Sequence, residues 1–237
     1  MTAAAVTGAT RTPTTQAWPL SRVSGAGGLL FVLTLIVDNV IRAGAPAFGA
    51  SGSEVAAYIQ DHRFAWMLPI ALFPFGMVGL FSFVTGVLSL AQEDARSRWW
   101  ARAGAFAAAT IAALFAVVTL VEAAMVASVH QLVSAPAVVT ALWAVDGSAF
   151  GLNLAAIGTA LFALSRAARA IGLIPGWLAG LAMPGALCLF VASVFAIAIA
   201  EGAAWLFVGV VGFLVWALFL LVTGVSLLRR GPAADVR

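Results

Sequence analysis

Four acidic residues interrupt otherwise apolar stretches of this 237-residue chain: Asp38, Glu122, Asp146 and Glu201. A charged side chain at the centre of a lipid-embedded helix costs roughly 2.5–3.5 kcal/mol on insertion scales, so each acid needs a partner, a proton or a wet cavity. Arg42 follows Asp38 by one helical turn, an order that suits a local ion pair while the guanidinium snorkels outward. Glu122 is open to two readings, snorkelling or a hydrogen bond to a neighbouring helix. Asp146 is too short to snorkel, and Gly147, Ser148 and, two turns on, Asn153 follow it. Either it is protonated and bonded to a neighbouring helix, or it lines a wet cavity. Glu201 sits at a segment boundary, where solvation accounts for it. Asp38, Arg42, Glu122 and Asp146 are therefore the candidate ion- or ligand-binding residues.

Most other chemistries fail on residue types. All twelve cations are Arg, so no lysine Schiff base forms and a retinal protein is excluded. The single cysteine, Cys188, has no intrachain disulfide partner. Metal-dependent membrane hydrolases gather three or more ligands, whereas only His62 and His130 are present. A zinc site built from these two with Asp61 or Glu122 is the one metal arrangement left, and no metal is assigned. Neither histidine is deep enough for a transmembrane haem relay. Gly49-Ala-Ser-Gly52 spells a rhomboid-protease motif by accident, in a loop with no histidine in a later span. There is no phosphate-binding glycine loop, no Cys-x-x-Cys and no soluble portion for a nucleotide. No catalytic residue and no cofactor is expected.

The elements that hold these residues follow from composition. With 63% hydrophobic and 9% charged residues, against about 25% charged in soluble domains, the chain has lipid as its main solvent. Only helices and closed barrels satisfy every backbone polar group there, and the near-continuous apolar runs lack a barrel strand's alternation. Crossing roughly 30 Å of hydrocarbon takes about 20 residues. Spans are predicted over about 23–43, 64–91, 103–129, 136–164, 176–200 and 203–228. The expected fold is an all-α, six-transmembrane-helix bundle over 22–230, with a cytoplasmic N-terminal tail over 1–21 and a C-terminal tail over 231–237.

Arginine placement orients the bundle. Arg11, Arg22, Arg96, Arg98, Arg102, Arg166, Arg169, Arg229, Arg230 and Arg237 fall on one side and only Arg42 and Arg63 on the other. Both termini are thus expected in the cytoplasm of a bacterial plasma membrane; a genome rich in G and C fits the absence of Lys and the excess of Ala and Gly. Trp99, Trp100 and Trp177 fall at inner ends and Trp66 and Trp205 at outer ends, as an aromatic belt does, while mid-span Trp216 reads as packing. Between the first two spans, Ser53 is the expected N-cap of a short amphipathic extracytoplasmic helix. Val55, Tyr58, Ile59 and His62 lie on one face, for anchoring at the lipid interface or for capping a cavity. Pro69, Pro74 and Pro184 are expected to kink their helices. Val37-Asp38 loosely echoes Val145-Asp146, as an inverted three-plus-three repeat does.

Three segments carry a resemblance: Gly25-Ala-Gly-Gly-Leu-Leu30, Ser53-Glu-Val-Ala-Ala-Tyr58 and Ile171-Gly-Leu-Ile-Pro-Gly-Trp-Leu-Ala179. In this order they resemble a family of six-helix bacterial membrane proteins of actinobacterial type, over roughly residues 22–230. The resemblance implies a fold and brings no activity with it.

Two functions fit these features. The first is a transporter-like or ligand-binding protein with an outward-facing acidic cavity, Asp146 accepting a cation or proton and Arg42 modulating it. The second is a non-catalytic scaffold that binds another membrane protein, or a second copy, through glycine-rich faces at Gly176, Gly180, Gly209 and Gly212. The lipid bilayer is a partner in both, and short basic clusters without a recognition motif give no reason to expect nucleic acid. Reporter fusions within residues 92–102 are expected to score as cytoplasmic. An external signal there, or an odd number of crossings, overturns the orientation.

Overall fold

The computed structural model describes residues 20–230, so the tails, with Arg11 and Arg237, lie almost wholly outside the described residues. In chain order the helices are α1 (Leu20–Arg42), α2 (Gly52–Asp61), α3 (Arg63–Leu90), α4 (Ala95–Ala127) and α5 (Val129–Leu132), followed by α6 (Pro136–Ala170), α7 (Gly176–Val194), α8 (Ala196–Ala200) and α9 (Leu206–Arg229). Six of them, α1, α3, α4, α6, α7 and α9, are long and apolar enough to cross a membrane. The chain is a multi-pass membrane protein. Each long helix packs on the next in sequence and α9 closes on α1, while α6, the most buried, also touches α2, α8 and α9.

The helices differ from the expected spans where polar residues extend or end them. The loop before α4 is short because Asp94 caps the helix, accepting the Ser97 N–H at 2.7 Å. Arg96, Arg98 and Arg102 consequently lie on the first turns of α4 rather than in a loop. That same N–H holds the Asp94 carboxyl below its ordinary range, so the cap is ionised at neutral pH. α6 runs on through Arg166 and Arg169 to a Schellman ending. There Leu173 N–H reaches Ala168 O at 2.8 Å and Gly172 N–H reaches Arg169 O at 3.2 Å, with Gly172 at φ +69°. The expected fifth span ends early, at Val194; Phe195 separates α7 from α8 and stacks on Trp205 at 4.0 Å. α3 continues through Pro69 and Pro74, and α7 through Pro184.

Small residues set how closely the rods approach. A Cβ at Gly27 of α1 would lie 2.8 Å from Gly79 O of α3, and one at Gly79 would lie 2.6 Å from Gly27 O. Gly212 of α9 meets Gly185 O of α7 in the same way, at 2.5 Å. Backbone against backbone is the packing that small residues permit in lipid, where apolar side chains gain little by leaving the acyl chains. Gly209 and Gly212 are thus occupied inside the chain's own bundle, whereas Gly180 faces open space.

One end of the bundle carries a roof. The N-cap of α2 is Ser51 rather than Ser53, its Oγ accepting the Glu54 N–H at 3.3 Å. Gly52 N–H donates to Thr140 Oγ1 of α6 at 3.1 Å, which seats the first turn directly on that helix. Val55, Ala56 and Ile59 are buried against Trp66, Met125, Val129, Val139 and Trp143. The apolar face of α2 therefore packs on protein instead of lying in the lipid interface, and His62 stays exposed, stacked on Tyr58 at 4.1 Å. Trp66 is likewise interior, at 2% exposure, while Trp99, Trp177 and Trp205 keep the exposed positions of a belt. Trp216 is fully buried, packed on Phe219.

Gly27→Val is expected to lower stability in detergent by about 1–3 kcal/mol through overpacking, whereas Gly180→Ala, which meets nothing, should raise it by about 0.5–1 kcal/mol. Thermal midpoints of the two purified variants against the parent check both signs.

Candidate functional site

The roofed end gathers all four candidate residues. α1 and α4 finish there and α6 begins there, so Asp38 and Arg42 come from the last turns of α1, Glu122 from the last turns of α4, and Asp146 from the third turn of α6. Arg42 stands at the centre. Its Nε donates to Asp38 Oδ1 at 2.9 Å, its Nη2 lies 2.5 Å from Glu122 Oε1, and its Nη1 lies 3.9 Å from Asp146 Oδ2. The Glu122 contact is an ion pair without the alignment of a hydrogen bond. Trp66 supplies a third kind of contact, with the guanidinium carbon 5.8 Å from its ring centroid.

The local pair expected between Asp38 and Arg42 is present, but Arg42 does not merely snorkel. It turns inward to carboxylates on two other helices. Asp38 and Arg42 keep about a fifth of their side chains exposed, at 20% and 18%, whereas Glu122 and Asp146 are sealed, at 2% and 0%.

Between α1, α3 and α4 runs a half-open cleft lined by Asp38, Arg42 and Glu122 at its polar part and by Phe31, Phe73 and Phe115 deeper in. Its free interior is about 40 Å³, space for a few waters and far below the roughly 300 Å³ of a small-molecule pocket. Asp146 is outside this lining, on the far side of Arg42. Among the described residues neither of its oxygens has a hydrogen-bond partner. Both amide atoms of Asn153, two turns along α6, are also buried and unpartnered. The aromatic roof does the sealing, since Phe48 and Ala200 press on neighbouring Gly147, and Phe48 packs on Trp143 at 5.2 Å.

The remaining polar candidates lie elsewhere. Arg63 Nε donates to Val126 O at 3.3 Å, satisfying a terminal carbonyl of α4. His130 and Glu201 are exposed. Among the described residues no three His, Cys, Asp or Glu side chains are grouped to hold a metal, so His62 and His130 do not assemble into a zinc site with Asp61 or Glu122. Sequence reasoning missed Phe48, Trp66 and Trp143 as walls of the site. A tryptophan at a span end reads as belt, and only the docking of α2 draws Trp66 inside.

No family model, curated protein or solved structure matches the chain. The resemblance to six-helix bacterial membrane proteins therefore rests on its three segments alone.

Removing a guanidinium from between buried carboxylates leaves uncompensated charge, at a typical cost of about 3–5 kcal/mol. Arg42→Met is expected to destabilise by that order in detergent. In a Glu122→Gln, Asp146→Asn background the same substitution should cost far less, because no buried charge is stranded. Equal losses in the two backgrounds would show that the guanidinium is not compensating those acids.

Proposed function

We propose that this protein takes up and releases a small cation at the Asp38, Glu122 and Asp146 cluster, as an ion-coupled transporter does, with Arg42 as a tethered cation. One observation carries the reading: a single guanidinium serves three carboxyl groups, two of them buried. With all three ionised, two negative charges are uncompensated in a medium that penalises each. A second positive charge is favoured there, and a proton is the one that needs no added room in a cleft of about 40 Å³.

The unequal distances supply a path. Arg42 is tight on Asp38 and Glu122 and 3.9 Å from Asp146. A cation arriving through the cleft neutralises Asp38 or Glu122 and weakens their hold on the guanidinium. Arg42 then moves closer to Asp146, whose oxygens accept no hydrogen bond among the described residues. In the orientation favoured by the arginine bias, with both termini in the cytoplasm of a bacterial inner membrane, the cleft opens toward the outer half of the bilayer. A scaffold role through glycine-rich faces draws less support, since Gly209 and Gly212 are engaged within the bundle.

The test is proton and monovalent-cation flux in proteoliposomes, read by an internal pH dye or a cation indicator under an imposed gradient. Asp146→Asn and Glu122→Gln are each expected to lower the flux by tenfold or more or to shift its pH dependence, and Asp38→Asn to act more weakly. Parent vesicles no more permeable than empty ones, or variants with unchanged flux, sink the proposal.

A further inference from the structure

The opposite end of the bundle carries a second site of inverse charge. Arg96 of α4 and Arg166 and Arg169 of α6 converge on a cleft of about 380 Å³, nearly tenfold roomier than the acidic one. None of these arginines forms an ion pair with an acid among the described residues, and the nearby Asp94 carboxyl is engaged by the Ser97 N–H. Three positive charges from two packed helices thus share one hollow whose lining holds no acid, with the ionised Asp94 as a neighbour of Arg96. Its floor is aromatic. Trp100 meets Phe162 edge-on at 5.4 Å, and the Arg166 guanidinium lies 5.2 Å from the Phe162 ring centroid.

Phe162 also begins a second, entirely different hollow. Between α6 and α7 it shares with Met183, Pro184, Leu187 and Phe190 an apolar groove of about 380 Å³. Along α7 the two hollows run from Ala179 in the basic one to Phe190 in the apolar one. That stretch covers roughly 16 Å at 1.5 Å per residue, about half the thickness of a hydrocarbon core. A basic pocket at headgroup level that continues into an apolar groove one leaflet deep matches a ligand with an anionic head and a hydrocarbon tail.

We propose that this pair of hollows is a binding site for an anionic phospholipid. Arg96, Arg166 and Arg169 hold the headgroup phosphate, and an acyl chain lies along the α6–α7 groove over Phe162. Arginine suits the role through planar, multiply donating contact with phosphate oxygens. Exposed Trp99 and Trp177 mark the same end as one that sits at the headgroup level. The site is independent of the acidic cluster and of any cation movement there.

Native mass spectrometry of the purified full chain in detergent tests it, with phosphatidylglycerol, phosphatidylcholine and inorganic phosphate as separate additions. Retention of phosphatidylglycerol over phosphatidylcholine is expected. An Arg166→Gln, Arg169→Gln double variant should weaken it by on the order of tenfold or more, and Arg229→Gln, a basic change outside the hollow, should leave it intact. Leu187→Trp, which fills the groove without touching charge, should also weaken lipid retention. Millimolar inorganic phosphate should fail to displace the lipid. Equal retention of the two lipids, equal loss in the Arg229 variant, or displacement by phosphate alone overturns the proposal.

Discussion

Two carboxyl groups sealed inside a lipid-solvated bundle need a positive charge, and that requirement organises the roofed end of this protein. Arg42 meets it by turning inward from the last turn of α1 to Glu122 on α4 and toward Asp146 on α6. Three helices that follow different paths through the bundle are thereby tied at one point. A buried ion pair is weak evidence for stability, because desolvation offsets much of the attraction. The proposed cation uptake rests on this imbalance of one cation among three acids.

What holds the fold is the close approach of backbones. At Gly27 with Gly79, and at Gly185 with Gly212, helices meet at distances that no side chain permits. The roof adds a different kind of constraint. Gly49 and Gly202, at φ +87° and +90°, bring the loop before α2 against the turn after α8, each so near the other strand of chain that a Cβ would clash. This contact, with Trp143 Nε1 donating to Ala47 O at 3.2 Å, seats the loop over Asp146. The same contact brings Phe48 and Ala200 against Gly147, the residue next to the buried acid.

The two ends of the molecule are electrostatic opposites. The roofed end places acids at a cleft of about 40 Å³, and the other end places arginines around a hollow an order of magnitude larger. Size and sign together separate their ligands. The proposed ligands follow that division, a small cation at the first and an anionic head with an apolar tail at the second. Both hollows use α4, and α6 bears on both sites, through Asp146 at one end and Arg166 and Arg169 at the other.

Residue types alone decided the helical, membrane-spanning architecture of this protein, because the apolar runs are long and lipid leaves backbone groups no other partners. They also marked Asp38, Arg42, Glu122 and Asp146 as costly, since the expense of burying charge depends on hydropathy around each residue and not on the fold. Helix ends at Asp94 and Gly172 were legible in principle from their capping residues. Charged residues in the first and last turns masked them, because a hydropathy window stops where arginines begin. Only tertiary structure could decide that the four site residues meet, that Arg42 faces inward, and that Asp146 is cut off from the cleft. Those outcomes depend on which helices become neighbours and on where α2 docks. Both are set by glycine contacts and aromatic packing between residues as far apart as Ala47 and Trp143, a pairing that no local pattern encodes.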